Sequence, residues 1–103
     1  MEVIGAIDNE TRCRHYSGPR DRIAIKFYCC GYYFSCIQCH EESGCGERKV
    51  WPREFFAEKA ILCGSCRTEL SIHSYLASEN ECPACEQVFN PGCALHHHLY
   101  FDV

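Results

Sequence analysis

Three Cys-x-x-Cys pairs, Cys36/Cys39, Cys63/Cys66 and Cys82/Cys85, stand in a chain of 103 residues together with Cys13-x-His15, the doublet Cys29-Cys30 and His40 beside Cys39. Two thiolates separated by two residues can wrap one tetrahedral metal at about 2.3 Å per Zn–S bond, and two such knuckles close a site. Fifteen residues separate Cys66 from Cys82, which is the spacing of a zinc ribbon, so Cys63, Cys66, Cys82 and Cys85 are expected to bind one zinc.

Eleven cysteines in a short chain could instead form a disulfide framework. The odd number, the regular two-residue gaps and the interspersed histidines favour metal. Residues 1–16 show no basic segment followed by an apolar one, so no secretion signal is expected and reducing cytoplasm is the default compartment. No apolar run approaches the roughly 20 residues that would span a bilayer.

The formal charge is −4, and deprotonated thiolate ligands around three zinc ions would bring it to roughly −8. Eight of the ten basic residues fall into two small groups, Arg12, Arg14, Arg20, Arg22 and Lys26, then Arg48, Lys49 and Arg53. That distribution disfavours nucleic acid and leaves a protein as the expected partner.

The elements that must position these ligands are short. Residues 1–12 read as a leading strand or arm, with Val3, Ile4, Ala6 and Ile7 apolar and Asp8-Asn9 as a turn. Ile23 to Tyr28 is rich in β-branched and aromatic residues and reads as a strand. Glu41 to Gly44 is expected to be free of helix, a short helix is expected from Arg53 to Ala60 behind Pro52, and Arg67 to Tyr75 reads as the strand pair or turn-strand of the ribbon. Phe27, Tyr28, Tyr32, Tyr33 and Phe34 are expected to pack around the metals. The fold class is thus a small zinc-stapled domain, β-rich with short helices and irregular loops. It is expected to be a single domain over 1–103, with a first metal lobe over 13–50 and a ribbon-like second lobe over 60–103.

The succession CRHY (13–16), CC (29–30), Tyr33, CIQCH (36–40), WP (51–52), CGSC (63–66), CPAC (82–85), FNPGC (89–93) and LYF (99–101) resembles the CHY-type zinc finger over essentially the whole chain. It is most similar to the family's stand-alone group, which includes a yeast mitochondrial intermembrane-space helper of small Tim assembly. The resemblance implies about three zinc ions, no enzymatic activity, and the intermembrane space as an alternative compartment. It also implies ligand sets: Cys13, His15, Cys36 and Cys39 for one zinc, and Cys29, Cys30 and His40 for a second. The family commonly places a histidine as the fourth ligand of that second site, where this chain offers Cys45. Cys93 and His96 form a further metal-type pair, with His97 and His98 beside them. Cross-braced and sequential groupings use the same cysteines and both stay open on the sequence. His73 stands alone and is expected to be an ordinary histidine.

Function divides into two readings. The first is a protein-interaction module on a rigid zinc-fixed surface. The second is a zinc-transfer or thiol-redox helper for a cysteine-rich partner. Cys63-Gly-Ser-Cys66 and Cys82-Pro-Ala-Cys85 superficially look like oxidoreductase motifs, but no βαβ pattern surrounds them. A RING ligase would need its Cys-x-His interleaved among the Cys-x-x-Cys pairs, whereas Cys13-x-His15 precedes them all. A hydrolytic zinc site would keep an open position and a general base, and the ligands here are mostly thiolates.

Overall fold

A computed structural model describes residues 3–46, 49–78, 80–89 and 100–102. Cys93, His96, His97 and His98 lie outside the described residues.

Five short strands form one sheet in the order β1-β3-β2-β4-β5, where β1 is Val3–Ile4, β2 Ile23–Lys26, β3 Tyr33–Phe34, β4 Lys59–Cys63 and β5 Glu69–Ser71. The β1/β3 pair is parallel and the rest are antiparallel. Because side chains alternate along a strand, Ile23, Ile25, Phe34, Ile61 and Cys63 enter the main core, while Ala24, Tyr33 and Leu62 make a smaller cluster with Val3. Apolar burial holds such a sheet together, at about 25 cal/mol per Å² of apolar surface removed from water. Phe34, Phe89, Phe101, Ile61, Leu62 and Ile72 are among the largest fully buried side chains.

Helix α1 spans Ile37–Ser43, so Glu41 to Ser43 are helical after all. The cause is local: Cys36 caps the helix by accepting from the Cys39 N–H at 3.4 Å, and Gly44 N–H closes the last turn on His40 O at 2.7 Å. The helix expected from Arg53 to Ala60 is only a 3-10 turn, Arg53–Phe55. Ala60, Ile61, Leu62 and Cys63 are all buried and belong to the interior strand β4, where pairing on both sides outweighs helix propensity. A bulge falls at Ala60, between the pairs Lys59↔Ser71 and Ile61↔Leu70.

The strand expected through Tyr75 ends at Ser71, which caps helix α2, Ile72–Leu76, by accepting from Ser74 N–H. The three-residue step from Ile72 to Tyr75, both buried, is a helical spacing. Trp51 ties the C-terminal segment to the sheet: its backbone pairs with Tyr100 and Asp102, and its indole N–H donates to Lys26 O at 2.7 Å.

Candidate metal centres

The polypeptide brings twelve of its cysteines and histidines into three groups of four, and in each group the candidate ligand atoms lie within 4.8 Å of one another. The first is Cys13, His15, Cys36 and Cys39, the second Cys29, Cys30, His40 and Cys45, and the third Cys63, Cys66, Cys82 and Cys85. Helix α1 serves two of them. Cys36 and Cys39 are one turn apart on the first group's side, whereas His40 points to the second.

In the first group Cys36 Sγ lies 3.6 Å from Cys13 Sγ and 3.5 Å from Cys39 Sγ, and His15 Nδ1 is 3.4 and 3.5 Å from the Cys36 and Cys39 sulfurs. All three thiols are buried. The second group is more open, with Cys45 exposed and Cys29 and Cys30 half-buried. Its imidazole is the fixed point. His40 Nε2 sits 3.2 Å from Cys29 Sγ and 3.7 Å from Cys45 Sγ, and the ring lies flat on Phe27, centroids 4.2 Å apart, with Phe34 edge-on at 5.0 Å. Phe27, Tyr33 and Phe34 are buried, whereas Tyr28 and Tyr32 are exposed, so two of the five aromatics expected around the metals face solvent instead. They flank the turn that carries the Cys29-Cys30 doublet, and that turn lies at the surface.

The third group is built from two matching knuckles. Cys63 N–H donates to Thr68 O and receives Arg67 N–H on its own carbonyl; Cys82 N–H donates to Gln87 O and receives Glu86 N–H in the same way. Leu62 pairs with Glu69 in the first knuckle and Glu81 with Val88 in the second, at the same offset. Arg67 and Glu86 both take left-handed backbone conformations, φ 62° and 65°. Across the knuckles Cys63 Sγ lies 3.7 Å from Cys85 Sγ, and Cys66 Sγ 3.8 Å from Cys82 Sγ.

These spacings are far longer than a disulfide of about 2.05 Å, and the ten described cysteines are free. A tetrahedral zinc with about 2.3 Å Zn–S and 2.05 Å Zn–N bonds gives edges of about 3.8 Å between sulfurs and about 3.5 Å between sulfur and nitrogen. The donor sets and their spacings are therefore consistent with zinc. Burial pushes the Cys36, Cys39, Cys63 and Cys82 thiols up, and Cys29 up to about 11. Burial acts in the same direction on Cys66, but Thr68 beside it at 3.2 Å and the neighbouring thiols outweigh it and bring Cys66 down to about 6. Protons held on packed thiols are what an entering cation displaces.

The CHY zinc finger family matches residues 13–91. This chain belongs to that family. Among its relatives is the Saccharomyces cerevisiae Helper of Tim protein 13, 41% identical over 99 residues that cover 93% of this chain and 85% of that protein. The Kluyveromyces lactis protein of the same name is 38% identical over 95 residues, covering 92% of this chain and 82% of the relative. No solved structure matches the chain. Within this CHY domain His73 is exposed and lies outside the three groups, its ring meeting Phe56 edge-on at 5.7 Å. Two features had no signal in the ligand spacing, Glu42 beside His15 and the left-handed residue that closes each knuckle, whereas Phe27 under His40 is one of the aromatics expected around the metals. Among the described residues no helix is long and apolar enough to cross a membrane.

Proposed function

We propose that this CHY domain binds three structural zinc ions, one in each four-residue group, and acts as a rigid protein-interaction module with no catalytic step of its own. The observation that carries the reading is the gathering of three complete four-donor sets within 4.8 Å. Four donors, three or four of them thiolate, make a closed coordination sphere that fixes the fold and leaves no open position for water. Cys13, His15, Cys36 and Cys39 would hold the first ion, Cys29, Cys30, His40 and Cys45 the second, and Cys63, Cys66, Cys82 and Cys85 the third.

A protein partner is favoured over nucleic acid by the fate of the arginines. Arg12 pairs with Asp8 and Glu10, Arg14 with Glu42, Arg22 with Glu10 and Arg53 with Asp102, so few cations face outward together. The name of the two yeast relatives supports Tim assembly as the setting, and with it the mitochondrial intermembrane space as the compartment. The direct test is elemental analysis of natively purified protein with a thiol count before and after chelation. About three zinc ions per chain, with most thiols masked until chelation, is the expected result. Substoichiometric zinc with ready disulfide formation would overturn it.

A second reading, zinc transfer to or from a cysteine-rich partner, is favoured by the exposure of the second group, which buries none of its three thiols, whereas the first buries all of its own and the third, with Cys66 exposed, still buries Cys63 and Cys82. It expects the second ion to leave first in competition with a chromogenic chelator. Uniform release of all three ions would remove its support.

A further inference from the structure

Residues 3–12 contain no cysteine or histidine and precede the family match at 13–91, yet they touch two of the three clusters. At one end, β1 pairs with β3 and Ser35 N–H donates to Ile4 O at 3.2 Å. This sets Gly5 against Cys39. Gly5 has φ +90°, and a methyl on its Cα would lie 2.5 Å from Cys39 Sγ and 2.9 Å from Cys39 Cβ, closer than real side chains approach. The chain then locks into a turn. Asp8 accepts from the Glu10 and Arg12 N–H groups at 2.9 and 3.0 Å, Arg12 reaches back to Asp8 and Glu10, and Ile7 N–H donates to Arg12 O at 2.7 Å.

At the other end Glu10 and Thr11 press on Gly64, the first spacer residue of the Cys63/Cys66 knuckle. A methyl on Gly64 would strike the Glu10 carbonyl and lie 2.8 Å from Thr11 Oγ1. Arg67, which closes the same knuckle, donates from Nη1 to Asn9 O at 3.1 Å. Two residues past Thr11 the chain reaches Cys13 of the first cluster.

We propose that residues 3–12 form a strap coupling the first metal cluster to the third, with Gly5 and Gly64 as the positioning residues at its two contacts. The inference rests on the three-zinc reading for what the clusters hold. The strap itself rests on packing. When the Cys63/Cys66 knuckle loosens, the wall that Glu10 and Thr11 lean on moves, Gly5 lifts from Cys39 Sγ, and the first cluster opens with it. The second cluster meets this path at helix α1, where His40 follows Cys39 but is held flat on Phe27, and serves as the internal reference.

The experiment is pulsed alkylation of the full chain under a fixed chelator concentration, with labelling read at each cysteine by peptide mass, and with zinc content measured alongside. Gly64→Ala should speed labelling of Cys13, Cys36 and Cys39 about tenfold together with the third cluster, the size expected for loss of an outer-shell support. Cys29, Cys30 and Cys45 should stay within about twofold of the unaltered chain, well below that outer-shell effect. Labelling that rises only at Cys63, Cys66, Cys82 and Cys85 would overturn the strap. If Gly64→Ala does not fold, Arg67→Ala decides. It keeps a non-glycine residue in the left-handed conformation and removes the guanidinium with its tie to Asn9, and unchanged labelling at Cys39 would again overturn the proposal. Gly31→Ala is the strain control, since Gly31 has positive φ, +74°, and open space around an added methyl, so that it strains the backbone without a clash, whereas Gly64→Ala brings the clash alone. If it reproduced the Gly64→Ala pattern, general loosening would replace coupling. Loss of protection at Cys36 and Cys39 in the strap variants supports coupling whatever the zinc count, while the count of the unaltered chain tests the three-zinc reading by itself.

Discussion

Glu42 Oε1 lies 3.3 Å from His15 Nε2, on the edge of the ring opposite to the one that meets the sulfurs of Cys36 and Cys39 through Nδ1. A histidine that offers Nδ1 to a metal carries its proton on Nε2, and a carboxylate there fixes that tautomer and raises ligand basicity. Arg14, paired with the same carboxylate, holds Glu42 below the usual carboxyl range, so the partner of His15 is anionic throughout the neutral range. Both residues belong to the first cluster through position: His15 follows Cys13 by two residues and Glu42 sits one turn beyond Cys39 on α1.

Glu42→Gln should therefore weaken zinc at the first cluster about tenfold while leaving the fold intact, because glutamine can still accept from Nε2 but brings no charge. Competition against a chelator of known affinity, resolved by which cysteines become reactive, measures it. An unchanged first cluster would mean that the Glu42 contact is only a surface ion pair, of the kind that contributes little.

His40 is held by aromatic packing rather than by charge. Phe27 lies parallel to it at 4.2 Å and is itself stacked edge-on against Phe34 and Tyr100. Phe27→Leu keeps a large apolar group in the site and removes the stacking, which is worth about 1 kcal/mol; that converts to roughly fivefold weaker zinc at the second cluster. Phe27→Ala should cost the whole domain about 3–5 kcal/mol by leaving a cavity. Thermal unfolding of both variants, with zinc retention read separately, distinguishes ring positioning from plain core loss: equal zinc loss per unit of stability in the two would leave no special role for the ring.

Tyr33 is buried in the smaller cluster, with its hydroxyl 3.2 Å from Glu69 Oε2. Burial first, then the Glu69 charge and hydrogen bond, raise its phenol above the ordinary 10.0. The folded state therefore keeps this proton to higher pH than the unfolded state does. Stability from this group is level below about pH 10 and falls as pH rises beyond it, with a slope of at most about 1.4 kcal/mol per pH unit. Tyr33→Phe should lose about 1 kcal/mol at neutral pH with its hydrogen bond and lose that alkaline slope as well. Denaturant midpoints at pH 7 and above pH 10 check both, and parallel pH profiles for the two proteins would reject the assignment.

The parts of this molecule that read from sequence are those decided within a few residues. Each Cys-x-x-Cys turn of the ribbon closes on its own hydrogen bonds, so Cys63, Cys66, Cys82 and Cys85 announce their juxtaposition by spacing alone. Ile23–Lys26 likewise shows its strand in its side chains. Long-range pairing and local helix caps hid the rest. Lys59 and Ala60 resemble the end of a helix until β2 and β5 are placed on either side of β4, and Ile72 to Tyr75 resembles a strand until Ser71 is seen to cap a helix. Glu41 to Ser43 lack apolar periodicity because α1 is fixed at Cys36, Cys39 and His40 instead. Nothing in residues 3–12 signals contact with Cys39 or Gly64, since those partners are supplied by the fold.

The same limit applies to the knuckles, where glycine is the usual marker of a left-handed residue and the chain has Arg67 and Glu86 instead. A non-glycine residue in that conformation costs about 1–2 kcal/mol, whereas glycine loses about 0.5–1 kcal/mol through its greater freedom in the unfolded chain. The first term is the larger. Glu86 is exposed, and its structural contribution to the knuckle is the backbone N–H that donates to Cys82 O at 2.8 Å, which glycine would keep. Glu86→Gly should therefore stabilise the domain by up to about 1 kcal/mol and slow zinc release from the third cluster, measured by chelator competition alongside thermal unfolding. The corresponding Arg67→Gly should gain less, because it also removes the guanidinium tie to Asn9. Destabilisation by Glu86→Gly would show that the carboxylate side chain, and not the backbone conformation, is what the second knuckle needs at this position.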